Sequence, residues 1–231
     1  MKQLYRYFSD DYGTQLVRDG KIRLGTFAKY QKMELEEADT TRGDRDDGCK
    51  FIEINKYTGD GQVASPIVQM LTGTTNPRGI TIENCLVSFH SENLLVMCMS
   101  QVLSVAIAQD FDNATECVQI NDPDWFFAAI TKALRRTRGR NFDFLGWFPC
   151  SYVPSRRVKH TDDTAHIQDQ YLLKHESYRR QEEVRALWRY NCGKLQDDHI
   201  DLVCPNIGRY CSLVDFRVHA GCGYSYKIFL G

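Results

Sequence analysis

The sequence predicts an α+β fold in a single domain spanning residues 1–231, rich in strands and carrying two or three helices. Three observations point there. The chain has 231 residues, 42% hydrophobic and 26% charged, which are ordinary globular values and enough length for one well-filled core. Short segments alternating polar and apolar residues recur along it, as half-buried strands do. Only a few stretches carry helical start and stop signals, and no internal repeat is visible.

In chain order, Leu4-Tyr-Arg-Tyr-Phe8 is a short aromatic run that reads as an opening strand. Ser9 and Asp10 are placed to cap a helix carrying Leu16 and Val17, which Gly20 would end. Lys21 to Thr26 alternates as a second strand, and Phe27 to Tyr30 leads into an acidic stretch containing Glu34, Glu36, Glu37 and Asp39. Lys50 to Ile54 alternates again, whereas Gly59 to Gly79, rich in Gly, Thr and Pro, reads as a surface excursion. Cys85 to His90 predicts a core strand, and the apolar run Leu94 to Ile107 a buried helix. Cys117 to Ile120 is a strand; Asp122-Pro123 opens a helix over Trp125 to Leu134. Phe144 to Val153 and Tyr171 to Lys174 read as extended, and His199 to Phe229 supplies two or three more strands.

Composition narrows the function classes. A net charge of −1 gives no overall pull towards nucleic acid or an anionic membrane. No apolar run approaches the roughly 18 residues of a membrane span, and Met1 to Tyr7 lacks the apolar core of a secretory signal. A cytoplasmic location without membrane partners is the expectation. The nine cysteines are scattered with no Cys-x-x-Cys pair, so buried free thiols in a reducing compartment fit better than a disulfide framework. Cys204, Cys211, His219 and Cys222 form a loose cluster of ligand types but lack a tight chelating pair, and no metal is assigned there. Asp44, Asp46 and Gly48 echo the start of a calcium loop, yet no closing Glu follows, and the segment reads as a solvated acidic loop.

One local patch departs from neutrality. Lys132, Arg135, Arg136, Arg138 and Arg140 cluster at the end of the predicted late helix, followed by Arg156, Arg157, Lys159 and His160. Cations there complement a helix dipole, or they grip phosphates. A cysteine nucleophile with His90 or His160 as its base is not indicated, because no Cys neighbours a His in sequence.

The segment Tyr178-Arg-Arg-Gln181-Glu-Glu183-Val-Arg185-Ala-Leu-Trp188 admits two readings. As a strand, it puts Gln181, Glu183 and Arg185 on one face and Val184, Ala186 and Trp188 on the other. As a helix, Val184, Leu187 and Trp188 make a buried stripe, and Gln181 and Glu183 diverge.

Leu4-Tyr5-Arg6, the stretch from Gly25 to Tyr30, and Gln181-x-Glu183, in that order, resemble the elements of the ADP-ribosyltransferase superfamily. Leu4-Tyr-Arg-Tyr7, Cys85-Leu-Val-Ser-Phe89 and Tyr178 to Arg185 are also similar to the landmarks of a widespread bacterial family of unassigned function, whose members begin Leu-Tyr-Lys-Tyr-Arg. The first resemblance favours the strand reading and implies a central split mixed or antiparallel sheet with NAD as the substrate. Glu183 would be the catalytic carboxylate and Gln181 would orient the acceptor. Arg6 would pair with the cofactor pyrophosphate. The superfamily has two patterns: Tyr30 would stack on nicotinamide under one, and Ser88 would support the site under the other. Position 6 is not the His of the first pattern, and Ser88 lacks the Ser-Thr-Ser context of the second. The implied function is modification of a macromolecule by a toxin or phage-defence effector, with RNA, DNA or protein as acceptor and an antitoxin as a possible neutralising partner; the basic patch tilts the acceptor towards nucleic acid. The alternatives are a non-enzymatic interaction module of such a system, or a nuclease with Glu182, Glu183 and acidic-loop residues holding Mg²⁺.

Overall fold

The computed structural model describes residues 3–37, 44–111, 114–160, 170–215 and 227–229. The chain begins β1 (Leu4–Phe8), α1 (Tyr12–Asp19), β2 (Lys21–Thr26), α2 (Phe27–Glu37), β3 (Cys49–Asp60), α3 (Pro66–Thr72) and β4 (Arg78–His90). It continues β5 (Leu94–Ser100), α4 (Val105–Asp110), β6 (Glu116–Ile120), α5 (Pro123–Arg138), β7 (Phe142–Pro149), β8 (Ser151–Val153) and β9 (Arg157–Lys159). The last elements are β10 (Leu173–His175), β11 (Glu183–Tyr190), β12 (His199–Val203), β13 (Cys211–Asp215) and β14 (Lys227–Phe229). The fold is therefore mixed α+β, with five α-helices among the described residues where two or three were expected. Two compact units emerge: Met1–Asp47, Glu92–Cys150 and Ser177–Gly231 form the first, and Gly48–Ser91 with Ser151–Glu176 the second.

The first unit holds a nine-stranded sheet in the order β12-β2-β5-β1-β6-β13-β14, with β11 on β5 and β7 on β11. Its pairings are antiparallel throughout. Strand β5 decides the topology. One of its edges is paired along its whole length by β11, from Glu183 opposite Ser100 to Arg189 opposite Leu94. A strand has two edges, so β1 and β2 must share the other. β1 takes it at Ser100, opposite Tyr5, and β2 at Val96 and Leu95, opposite Gly25 and Thr26. The sheet splits where these two strands part.

Leu94 to Ile107 is thus not the single helix expected: β5 occupies its first half, and α4 starts only at Val105. All of Leu94 to Ser100 except Cys98 is buried, and a strand covered on both faces shows no alternation to distinguish it from a buried helix. Helix α5 meets expectation: Asp122 Oδ1 accepts from the Trp125 amide at 3.3 Å, Pro123 opens the first turn, and Arg135, Arg136 and Arg138 crowd the last. Its apolar face, with Phe126, Phe127, Ile130 and Leu134, packs in one core with Leu4, Leu24, Leu95, Met97 and Trp188. The Trp188 indole donates to Thr131 Oγ1 at 2.8 Å, which satisfies its one polar atom inside that core.

Gly20 ends α1 in the left-handed region, φ +69°, as expected. The start of α1 differs from the reading of Ser9 and Asp10 as caps. Asp11 stands at the cap position, where its side chain accepts from the Gln15 side chain and caps no amide; Asp10 Oδ1 accepts from the Tyr12 amide at 3.0 Å, and Glu116 of β6 accepts from the Thr14 amide at 2.9 Å and the Thr14 hydroxyl at 2.5 Å. A carboxylate there meets the positive end of the helix.

In the second unit, β3 and β4 form a long antiparallel pair, and β9 runs parallel on the other edge of β3. β8 and β10 pair in parallel. Ile52, Ile54, Ile67 and Val87 are its buried core. The surface excursion expected over 59–79 contains α3, capped by Ser65 and ended by Gly73. The strand predicted at 85–90 exists as the end of β4, but it is covered on one side only: Val87 is buried, and Leu86 and Ser88 are exposed.

Candidate catalytic cleft

The Gln181–Trp188 segment resolves as a strand from Glu183 onward. Val184, Ala186 and Trp188 enter the core, and Glu183 and Arg185 project from the opposite face. Gln181 departs from the expected pairing. It ends a 3-10 turn, Glu176–Gln181, instead of preceding Glu183 along the strand. Glu182 makes the join with φ +41°, an uncommon conformation for a residue with a side chain, and its carbonyl accepts from the Gln101 amide at 3.0 Å. Gln181 and Glu183 are both buried, at 6% and 4% exposure, and Glu182 is exposed between them.

Around Glu183 the first unit gathers a charged cluster. The Arg185 Nε donates to Glu183 Oε1 at 2.6 Å, and its Nη2 lies 2.8 Å from Asp47 Oδ1. Arg185 has no exposed surface, and its guanidinium lies over the Phe27 ring, 5.4 Å from the centroid. Burial by itself would lower its pKa; Asp47, Cys150 and Glu183 outweigh burial and hold it well above the ordinary arginine value. The Cys150 thiol approaches Glu183 Oε1 at 3.7 Å. Asp47 is held by its own turn, its amide donating to the Asp44 carbonyl at 2.8 Å, and its carbonyl accepts from Gln31 of α2 at 2.6 Å. Asp44 and Asp47 are both buried. The acidic loop read as solvated therefore ends in a structural carboxylate that sequence inspection missed, and only its position relative to Arg185 in space could have shown it.

Arg6 and Tyr30 come together where the sheet parts. Both line a cavity of about 630 Å³ whose walls also include α1, β2 and β12 residues. Its charged lining is four cations, Arg6, Lys21, Arg23 and Lys29, against two carboxylates, Asp10 and Asp201. Arg23 grips Asp201 by two bonds, Nε to Oδ1 at 2.7 Å and Nη2 to Oδ2 at 3.0 Å. The Arg6 guanidinium donates to the Arg23 carbonyl at 3.4 Å and stacks over Phe8. Burial lowers its pKa, and neighbouring Tyr30 and Cys98 offset part of that. The Tyr30 ring lies against the backbone of Gly25, where a methyl group would stand 3.1 Å from it. Burial raises the Tyr30 pKa; Cys98, Glu183 and Asp47 act in the same direction, and Arg6 opposes them. Tyr30 thus lines the cavity with Arg6, and the charges of both Arg6 and Glu183 bear on its phenol.

Comparisons with known proteins return no matching family model, no similar curated protein and no similar solved structure.

The site must be read from its own geometry. Of the five residues singled out in the sequence, Arg6, Tyr30, Gln181 and Glu183 all belong to the first unit, and Arg6, Tyr30 and Glu183 share one electrostatic neighbourhood. Ser88 belongs to the second unit, exposed on β4 opposite Phe51. The two His residues weighed as bases do find partners in space. Cys49 Sγ and His90 Nδ1 are 3.2 Å apart across β3 and β4, a pairing that sequence proximity did not show, and His160 Nε2 meets Ser65 Oγ at 2.7 Å. Among the described residues no group of three His, Cys, Asp or Glu side chains is disposed to hold a metal ion; His219 and Cys222, of the loose cluster, lie outside them. No helix among the described residues is long and apolar enough to cross a membrane.

Proposed function

We propose that the chain is an ADP-ribosyltransferase that consumes NAD and modifies a macromolecule, with nucleic acid favoured as the acceptor, in the manner of a toxin or phage-defence effector. The observation that carries this reading is that Arg6 and Tyr30 line a cation-rich cavity at the sheet split, with the Glu183 charge bearing on the Tyr30 phenol. A volume of about 630 Å³ suits a nucleotide-sized ligand. Arg6, backed by Lys21 and Lys29, would hold the pyrophosphate, and Tyr30 would stack on the nicotinamide ring. Glu183 would accept a hydrogen bond from the ribose hydroxyl and stabilise the positive charge that develops at C1′. The bond from C1′ to the ring nitrogen breaks with its electron pair on nicotinamide, and a lone pair of the acceptor forms the new bond as the acceptor loses its proton. Gln181 would orient that acceptor group, since an amide both donates and accepts.

Glu183 does not itself line the cavity, and Arg185 engages it at 2.6 Å. The reading therefore requires the Glu183 carboxylate to become accessible from the cavity when the nucleotide enters. Incubation of the purified chain with NAD and total cell nucleic acid or protein should release nicotinamide and leave label on the acceptor. Glu183→Gln should cut that release by about a hundredfold or more while the far-ultraviolet circular dichroism is unchanged. Undiminished release in the variant would remove Glu183 from its role; the absence of any NAD turnover would favour a non-enzymatic interaction module.

A further inference from the structure

A second concavity lies in the first unit, beside the outer face of α5. It measures about 430 Å³, and its charged lining is Lys132, Arg136 and Arg209, with no carboxylate among the lining residues. Two aromatic rings join them, Trp125 and Tyr210. Trp125 is 62% exposed at the start of α5, an unusual position for the largest apolar side chain, on a face shared with Ala128, Lys132 and Arg136. Trp125, Lys132 and Arg136 recur at helical spacing, so one helix face presents an aromatic ring followed by two cations. Opposite them, the turn after β12 supplies Arg209, which stacks on the Tyr210 ring at 4.6 Å.

The remaining charges of the basic patch divide in an informative way. Arg135 is neutralised by Asp143 at 3.0 Å and Arg138 by Asp197 at 3.4 Å. Lys132, Arg136 and Arg209 have no carboxylate partner among the described residues. Arg156, Arg157, Lys159 and His160 belong to the second unit; Arg156 is buried there and donates to the Leu173 carbonyl, and Arg157 pairs with Glu53. Arg140 and Lys159 likewise have no carboxylate partner among the described residues but do not line the concavity; Lys132, Arg136 and Arg209 line it together with the aromatic rings. Charge repulsion disfavours such an arrangement unless an anion is to be met, and rings beside cations are the combination that holds bases and phosphates of an unpaired strand.

We propose that this cleft binds single-stranded nucleic acid, with a base stacked on Trp125 and successive phosphates on Lys132, Arg136 and Arg209. An acidic peptide would satisfy the cations but would leave the exposed indole without a planar partner. As a binding site the cleft stands on its own lining; as the site that receives the acceptor strand it rests on the transferase reading. The two clefts share one wall in sequence, since Asp201 to Val203 line the first and Cys204 to Asn206 the second.

The test is fluorescence anisotropy of labelled single-stranded RNA and DNA oligonucleotides of matched sequence with the full chain. Binding is expected, with a slope of log K against log salt of about −2 for three phosphate contacts. Trp125→Ala should weaken it about tenfold, and Lys132→Glu with Arg136→Glu should abolish it. These side chains are exposed, and an unchanged melting temperature checks that the variants fold. Preference between the RNA and DNA arms identifies the natural strand. No binding by the unmodified chain, equal binding of duplex or polyglutamate, or indifference to Trp125→Ala would each overturn the proposal. Glu183→Gln is expected to bind the oligonucleotide normally while losing NAD turnover, and Trp125→Ala to release nicotinamide at the ordinary rate in the absence of acceptor. Failure of the cleft and failure of the transferase reading therefore give different results.

Discussion

Arg185 answers two carboxylates from a position without solvent, and that fixes its energetic role. Removing one partner of a buried ionic group leaves the others charged in a medium that solvates them poorly. Arg185→Met, close in volume, is expected to lower stability by about 3–5 kcal/mol, because Glu183 and Asp47 would both lose the buried cation they share. Urea denaturation checks this, and a loss under 1 kcal/mol would mean that the cluster is not held by Arg185. Glu183 was legible in the sequence and Asp47 was not. Glu183 sits in a segment whose pattern admits both strand and helix, and the resemblance of Gln181-x-Glu183 to a known motif favoured the strand that the fold shows. Asp47 is one acid in a run of acids, and only the three-dimensional meeting with a residue far along the chain distinguishes it from Asp46, which remains half-buried nearby.

At the level of elements, the cleft depends on how closely α2 lies on β2. The Tyr30 ring can rest on the strand because Gly25 presents no side chain. Its backbone is not in the left-handed region, so alanine is conformationally acceptable there, and the effect of Gly25→Ala should fall on the ring. A shift of a few tenths of an ångström in Tyr30 is expected to raise the KM for NAD by about three- to tenfold with little change in melting temperature. An unchanged KM would show that Tyr30 is not a wall of the nucleotide site. The elements themselves were unevenly legible. β1 was readable from its aromatic composition and β2 from its alternation. α5 announced itself through Asp122-Pro123 and its basic last turn. β5 misled because burial on both faces erases the period. α2 was hidden by the acidic composition of its second half, which resembles a loop although glutamate and leucine are sound helix formers.

For the molecule as a whole, free thiols give a pH signature. Burial raises the Cys204 pKa to about 11 and the Cys211 pKa to about 12, against roughly 8.5 for an unfolded thiol. A folded-state value above the unfolded one means that the stabilisation is intact below about pH 8.5 and is lost as pH climbs towards 11 to 12, where only the unfolded chain gains from ionising. Denaturant midpoints should fall over that window, and replacing both cysteines with alanine should flatten the decline; an identical decline in that variant would assign it elsewhere. Cys192, exposed after β11, should alkylate well before either of them. The sheet order carries a further consequence for how the protein is made. β5 emerges from the ribosome early, yet the edge that β11 pairs stays open until β11 has been synthesised, after the Ser151–Glu176 segment of the second unit has been made in between. The carboxylate arrives with that late strand, ahead only of β12, β13 and β14 among the strands of the sheet. On the transferase reading, a nascent chain has no assembled centre until β11 has docked on β5.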